Sequence, residues 1–238
     1  MKKSIALIIA AIGVVALFAT SVPTAGALFG SGPRYELTFT NLTEGQPMTP
    51  PVFAVDDEPL DLFGLYQFAS PGLREIAENG NLAPLAGYLA ADRGLEDSGI
   101  ASGVGADGEG PVFPGESRTA SFHADGFFGR EFSAVAMVVC TNDGFTGIDN
   151  IPLPILKNRP VTVYAMAYDA GTEVNTEDLD DLVPPCSGGE TGTGMSNSAL
   201  AENGRITMHP GISGSADLSP DVWGFDFPVA MFTLTRVS

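Results

Sequence analysis

Two short stretches hold the residue types best suited to chemistry. One is Cys140-Thr141-Asn142-Asp143-Gly144-Phe145-Thr146-Gly147-Ile148-Asp149, and the other is Tyr168-Asp169-Ala170-Gly171-Thr172-Glu173. Each sets a carboxylate one or two residues before a glycine, just after an apolar run that reads as a strand. Two such corners can face each other at one end of a β-sandwich. Carboxylate oxygens converging on a turn suit a hard cation, above all Ca2+, which takes about six to eight oxygen ligands. Asp169 and Glu173 lie four apart with Gly171 between them, and glycine permits a tight curl. The plainer alternative is that each acid caps its own turn through its side chain.

Other chemistries find less support. The acidic run Asp178-Leu179-Asp180-Asp181 lacks the spaced ligands and central glycine of an EF-hand loop and reads as a solvated patch. The two histidines, His123 and His209, are far apart in sequence, and neither belongs to a zinc-type pair. His209 precedes Pro210-Gly211 at a strand end, where it is expected to hydrogen-bond a backbone carbonyl and shape a corner. Serines near Gly188-Gly189-Glu190 and at Gly214-Ser215 lack a nucleophile-elbow setting. No pair of acids stands out as glycosidase carboxylates. The aromatics Trp223 and Phe225, and Phe127-Phe128 beside a turn, are expected to plug the end of a sandwich. Catalytic residues are therefore expected to be none.

The elements that must position these residues are mostly strands. Residues 35–40 alternate apolar and polar with β-formers, so they read as a first strand. Asn41-Leu42-Thr43 then turns the chain and is also an N-glycosylation sequon at Asn41. A proline-rich second strand covers 47–55. Further strands are expected at 117–122, 132–140, 161–167, 205–209 and 229–236. Ser70-Pro71 is a helix start, with a Ser N-cap and Pro in the first turn, and Asn79-Gly80 ends that helix. A second short helix carries Leu82, Leu85, Ala86 and Leu89 at helical spacing. Glycine-rich loops are expected at 99–115 and 176–203, the latter either flexible or ordered by calcium. The fold class is therefore all-β, an antiparallel β-sandwich with a small helical insertion.

Composition narrows the setting. Met1-Lys2-Lys3, an apolar run from Ile5 to Ala19 and the small-residue stretch Ala25-Gly26-Ala27 read as a secretory signal peptide, residues 1–27. The alternative is an uncleaved membrane anchor. Residues 28–238 then form a single domain, long enough for a hydrophobic core. The formal charge is -18, and Lys157 is the sole lysine after the signal. Nucleic-acid binding is excluded for want of a basic patch. Direct binding to anionic lipid is disfavoured without a bridging cation. Depletion of lysine more than arginine points to a chain adapted to high salt, where self-repulsion is screened; an ordinary acidic secreted protein is the alternative. The two cysteines, Cys140 and Cys186, are expected to pair in an exported chain, although two buried thiols would share the pattern.

Taken in order, the motifs resemble the spondin N-terminal domain family in its microbial form. The resemblance runs from about Tyr35 to Arg236. It rests on the strand closing at Asn41-Leu42-Thr43, on Phe68-Ala69-Ser70-Pro71-Gly72-Leu73, and on Pro114-Gly115-Glu116-Ser117. It continues through Thr141-Asn142-Asp143-Gly144-Phe145, Tyr168-Asp169-Ala170-Gly171-Thr172-Glu173 and His209-Pro210-Gly211-Ile212. The family is an extracellular β-sandwich, similar to calcium-dependent lipid-binding sandwich domains, with calcium at one end. The resemblance implies Asp143, Asp169 and Glu173 as the acidic ligands. Glu173 departs from the animal pattern, which has aspartate there, and Phe145 follows Asp143 after an inserted glycine. The expected protein is a secreted or surface-associated, non-enzymatic calcium-binding module for adhesion or matrix interaction, its partner an extracellular protein or glycan. An envelope structural protein without a specific ligand is the alternative, and an extracellular hydrolase a more distant one.

Overall fold

The computed structural model describes residues 32–102, 110–125, 129–186 and 197–238. The signal segment, Phe127-Phe128 and Gly188-Gly189-Glu190 lie outside the described residues. The strands are β1 (Arg34–Asn41), β2 (Val52–Asp56), β3 (Asp97–Ile100), β4 (Ser117–His123), β5 (Glu131–Met137), β6 (Gly144–Pro152), β7 (Val161–Ala165), β8 (Ala167–Asp169), β9 (Thr207–Met208) and β10 (Ala230–Arg236). They form two antiparallel sheets, of order β4-β1-β10-β7 and β3-β2-β5-β6-β8-β9. The result is a β-sandwich. Helices α1 (Pro71–Asn79) and α2 (Ala83–Ala91) are inserted between β2 and β3, and a single-turn α3 (Pro220–Trp223) precedes β10.

Two cores explain the sequence patterns. Leu37, Phe39, Phe122 and Phe232 of the four-stranded sheet meet Phe53 and Phe132 of the six-stranded sheet. β1 and β10 bury alternate residues because the far face of their sheet meets solvent. β5 is buried at every position after Glu131, because its outer face is covered too. There Leu73, Ile76, Leu85 and Leu89 of the helices pack with Val135, Met137 and Phe145. Ser70 caps α1 by accepting from the Leu73 N–H at 3.2 Å, and Gly80 closes it at φ 62.

Several boundaries differ from the sequence reading. Residues 161–167 are not one strand: the chain leaves the four-stranded sheet after Ala165 and joins the six-stranded sheet at Ala167. The carbonyl of Met166, at the crossing, accepts from the Thr146 hydroxyl at 2.8 Å. β6, central in its sheet, carries Gly144, Gly147 and Pro152, which disguise it. Gly147 is required by packing, since a Cβ there would lie 2.5 Å from the Ala134 carbonyl and 3.0 Å from the Phe63 ring. β3 overlaps the start of the stretch read as loop at 99–115. β2 begins only at Val52, while Met48 bridges Val112 and Val138.

The Asn41 sequon is a correction. Asn41 is fully buried. Its amide donates to the carbonyls of Gln46 and Val112 at 2.7 and 2.8 Å, and its Oδ1 accepts from the Thr43 N–H and hydroxyl at 2.9 and 2.7 Å. Every hydrogen-bonding site of the side chain is used, so in the folded protein Asn41 is a turn linchpin closed to a glycan.

Candidate cation corner

Asp143 and Asp169 reach the same corner because β6 and β8 are neighbours, with Gly144 opposite Asp169. Cys140 and Cys186 are joined in a disulfide, Cα–Cα 5.3 Å. It ties the turn before β6 to the loop after Glu173, as expected.

Asp143 is wholly buried. Its Oδ2 accepts from the Thr172 N–H at 2.6 Å, the Thr172 hydroxyl at 3.2 Å and the Glu173 N–H at 3.0 Å. Its Oδ1 has no partner among the described residues. Burial, then the nearby charge of Asp169, push the carboxyl up to about 6 against the pull of those donors. Asp169 Oδ1 accepts from the Gly171 N–H at 2.8 Å, and Oδ2 from the Asn175 amide at 2.5 Å. Gly171 stands at φ 68, where a Cβ would lie 2.6 Å from the Arg205 nitrogen. Glu173 is buried and accepts from the Asn197 N–H at 2.8 Å. Burial pushes it up to about 7, opposed by that hydrogen bond, with the charges of Glu78 and Asp143 adding to the rise.

The turn-cap alternative holds in its plain form for Asp169, which accepts from the Gly171 N–H of its own turn; Asp143 instead caps the other turn, through the Thr172 and Glu173 N–H groups. The two acids and Glu173 share one electrostatic neighbourhood. Among the described residues, however, no group of three or more His, Cys, Asp or Glu side chains converges with metal-ligand geometry. The corner supplies carboxylates of the right type, and one buried oxygen, Asp143 Oδ1, is left over.

Sequence reasoning missed Glu78. It lies on the buried face of α1 with Leu73, Ile76 and Ala77. Oε1 pairs with Arg74 at 2.7 Å, while Oε2 is buried without a partner among the described residues. Glu78 acts on Glu173 electrostatically, so the same acidic neighbourhood holds a second orphaned carboxylate oxygen. A glutamate in phase with the apolar stripe of a helix was the available signal. Asn142 and Glu177 were missed as well. Asn142 Oδ1 accepts from the Thr176 N–H at 3.0 Å. Glu177 accepts from the N–H groups of Ser213 and Ser215 at 2.6 and 2.8 Å. Burial alone would raise Glu177, but those donors outweigh it and hold the carboxyl below its usual range.

His209 departs from expectation in detail. It is buried, and its Nδ1 accepts from the Gly211 N–H at 3.0 Å instead of donating to a carbonyl. Burial lowers its pKa, so the ring is neutral with its proton on Nε2. Phe225 packs against it at 5.4 Å between centroids, which gives Phe225 the end-plugging place expected of it. Among the described residues no helix is long and apolar enough to cross a membrane. A comparison with known protein families finds no family model that matches this chain, and none of the curated proteins matches it.

Proposed function

We propose that this protein is a secreted or surface-associated, non-enzymatic β-sandwich that takes Ca2+ at its acidic corner and presents the neighbouring loops to an extracellular protein or glycan. The observation that carries the reading is the fully buried Oδ1 of Asp143, which has no partner among the described residues. A buried carboxylate oxygen with no donor costs several kcal/mol unless something positive faces it. Asp169, Glu173 and Glu78 add oxygens of the hard type that Ca2+ accepts. Bound Ca2+ would supply positive charge to a corner where, among the described residues, Arg74 is the basic side chain that offsets the burial of Glu173. The protein's own part is to hold the loop 169–175 against β6 through the Asp143 hydrogen bonds and to brace it with the Cys140–Cys186 disulfide. The resemblance to spondin N-terminal domains belongs to the same reading, and so does a working environment of high salt.

Thermal unfolding at fixed high ionic strength tests it, with Ca2+, with Mg2+ and with chelator. A rise specific to Ca2+ is expected, because a ligand held by the folded state alone stabilises it by mass action. Equal melting in all three conditions would leave Asp143 and Asp169 as turn caps and end the proposal. Capture of matrix proteins and glycans with and without Ca2+ then tests the interaction role.

A further inference from the structure

Opposite ends of the sandwich present two exposed surfaces of opposite charge, a basic turn and an acidic groove. β1 and β10 run the full length between them, pairing Tyr35 with Arg236 at one end and Asn41 with Ala230 at the other. The seven residues of β10 set these ends roughly 20 Å apart at the usual strand rise.

At the Arg236 end, the connection from β6 to β7 forms an exposed turn. Ile155 and Leu156 are 47% and 64% exposed, and Lys157 and Arg159 beside them are exposed too. The turn is pre-shaped. The Arg159 N–H donates to the Leu156 carbonyl at 3.3 Å, and Asn158 takes φ 57. Arg236 anchors its base, donating to the Ile155 carbonyl at 2.7 Å and accepting from the Asn158 N–H at 2.9 Å. Among the described residues the ion pairs engage Arg74, Arg118 and Arg130, and neither Lys157 nor Arg159. In a chain of net charge -18, a turn with two cations beside two exposed aliphatic residues is unusual.

At the Ala230 end lies a cavity of about 730 Å³, within the ~300–1,000 Å³ typical of ligand-sized clefts. Leu42, Val222, Phe225 and Phe227 give it apolar walls, and Glu44, Asp221 and Asp226 give it carboxylates. Among the described residues no basic side chain lines it. Leu42, Val222 and Phe227 are each more than a third exposed, so the apolar surface is open for contact.

We propose that the groove receives the Ile155–Arg159 turn of a second copy of this chain, so that molecules associate head to tail. Leu156 and Ile155 enter between the apolar walls. Lys157 and Arg159 meet the carboxylates of Glu44, Asp221 and Asp226. Because donor and acceptor surfaces lie at opposite ends, the contact is heterologous, and repetition builds a chain of molecules instead of a closed two-fold dimer. The inference does not rest on the cation reading, since none of the residues in the contact belongs to the cation corner.

The test is sedimentation of the protein as exported, over a wide concentration range, at an ionic strength of about 0.15 M. There the Debye length of about 8 Å screens the long-range repulsion between like-charged molecules more than it screens charges in contact. The wild type should gain weight-average mass continuously with concentration. Lys157→Glu with Arg159→Glu should remain at the monomer mass, as should Asp221→Lys with Asp226→Lys. An equimolar mixture of the two reversed proteins should associate again, because each turn now faces a groove of opposite sign. All four positions are exposed, and unchanged melting would show that the reversed chains fold. Leu156→Ser, which leaves every charge in place, should weaken association at least tenfold. A wild type that stays monomeric at every concentration overturns the proposal, and so does association that survives either reversal. A monomeric wild type whose groove captures a basic, apolar peptide in an Asp221- and Asp226-dependent way also overturns it, and assigns the groove to a different protein.

Discussion

Asp143→Asn separates the structural duty of this side chain from its charge. The substitution keeps one oxygen to accept from the Thr172 and Glu173 N–H groups and removes the anion at the position of the orphaned Oδ1. The carboxyl is pushed from 3.8 to about 6 in the folded protein, so carrying its charge at pH 7.5 costs roughly 3 kcal/mol more in the folded state than in the unfolded one. The new amide N–H needs a partner in the same place, and an unsatisfied one costs about 1–3 kcal/mol. In chelator, therefore, the variant should match or exceed the wild type, by up to about 2 kcal/mol. For a domain of this size the upper end is roughly 4–8 °C in melting temperature. With Ca2+ at a hundred times its dissociation constant, the wild type gains about 2.7 kcal/mol, while the variant, lacking the anionic ligand, gains little. The order of stability should reverse. Differential scanning calorimetry of both proteins in both buffers reads this directly. If the variant melts below the wild type in chelator, the charged hydrogen bonds of Asp143 outweigh its burial, and the argument from the orphaned oxygen fails. If both proteins respond equally to Ca2+, the cation binds elsewhere.

Three further variants test the corner, a partly buried acid and the disulfide. Asp169→Asn should lower the melting temperature in Ca2+ and change little in chelator, because an amide oxygen can still accept from the Gly171 N–H and Asn175 can turn its own amide oxygen toward the new N–H; equal losses in both buffers would make Asp169 a structural cap alone. Asp149 is raised to about 6, chiefly by burial, so the stability it contributes is full below its unfolded value of 3.8 and is lost as pH rises through about 6. Asp149→Asn should accordingly match the wild type near pH 4 and exceed it above pH 6.5, by ~1 kcal/mol after allowance for its partial exposure; a constant difference across that range would contradict this. Replacing Cys140 and Cys186 by serine opens a loop of sequence separation 46 and should cost roughly 3–4 kcal/mol in the chain-entropy view, seen as a fall of about 10 °C in melting temperature.

Much of the frame was legible because it rests on local rules. Alternation announced β1 and β10, Ser70-Pro71 announced α1, and the even cysteine count announced the bond between Cys140 and Cys186. What escaped notice depends on the partner surface. β6 is hidden because Gly147 answers to the Phe63 ring and the Ala134 carbonyl, and no window of sequence contains that demand. The break between β7 and β8 falls inside an uninterrupted run of strand-formers, since changing sheets leaves no mark once Thr146 has satisfied the Met166 carbonyl. Asn41 shows the opposite failure, where a true local pattern, Asn-x-Thr, is used for tertiary hydrogen bonds. At the corner, the expectation that the two turns face each other places Asp143 near Asp169, and in the structure it is the pairing of β6 with β8 that does so. It could not reveal Glu78, which arrives on a helix more than sixty residues earlier.

The acidity of this chain has two distinguishable components. Acids such as Asp180 and Glu202 lie toward solvent and respond to bulk ionic strength as solvated charges do. Asp143, Glu78 and Glu173 are buried, where dissolved salt screens poorly and only a specific positive partner can offset the burial. A surface adapted to high salt would account for the first group and not for the second, because such adaptation works through hydration and the buried acids have little. Raising monovalent salt should therefore stabilise the protein smoothly through the surface acids, with no saturation at low concentration. A cation at the corner should saturate at low concentration and persist in high monovalent salt. The two dependences can be separated in one titration series. A Ca2+ effect that disappears once monovalent salt is high would return Asp143, Glu78 and Glu173 to the role of buried structural acids held by the donors already around them.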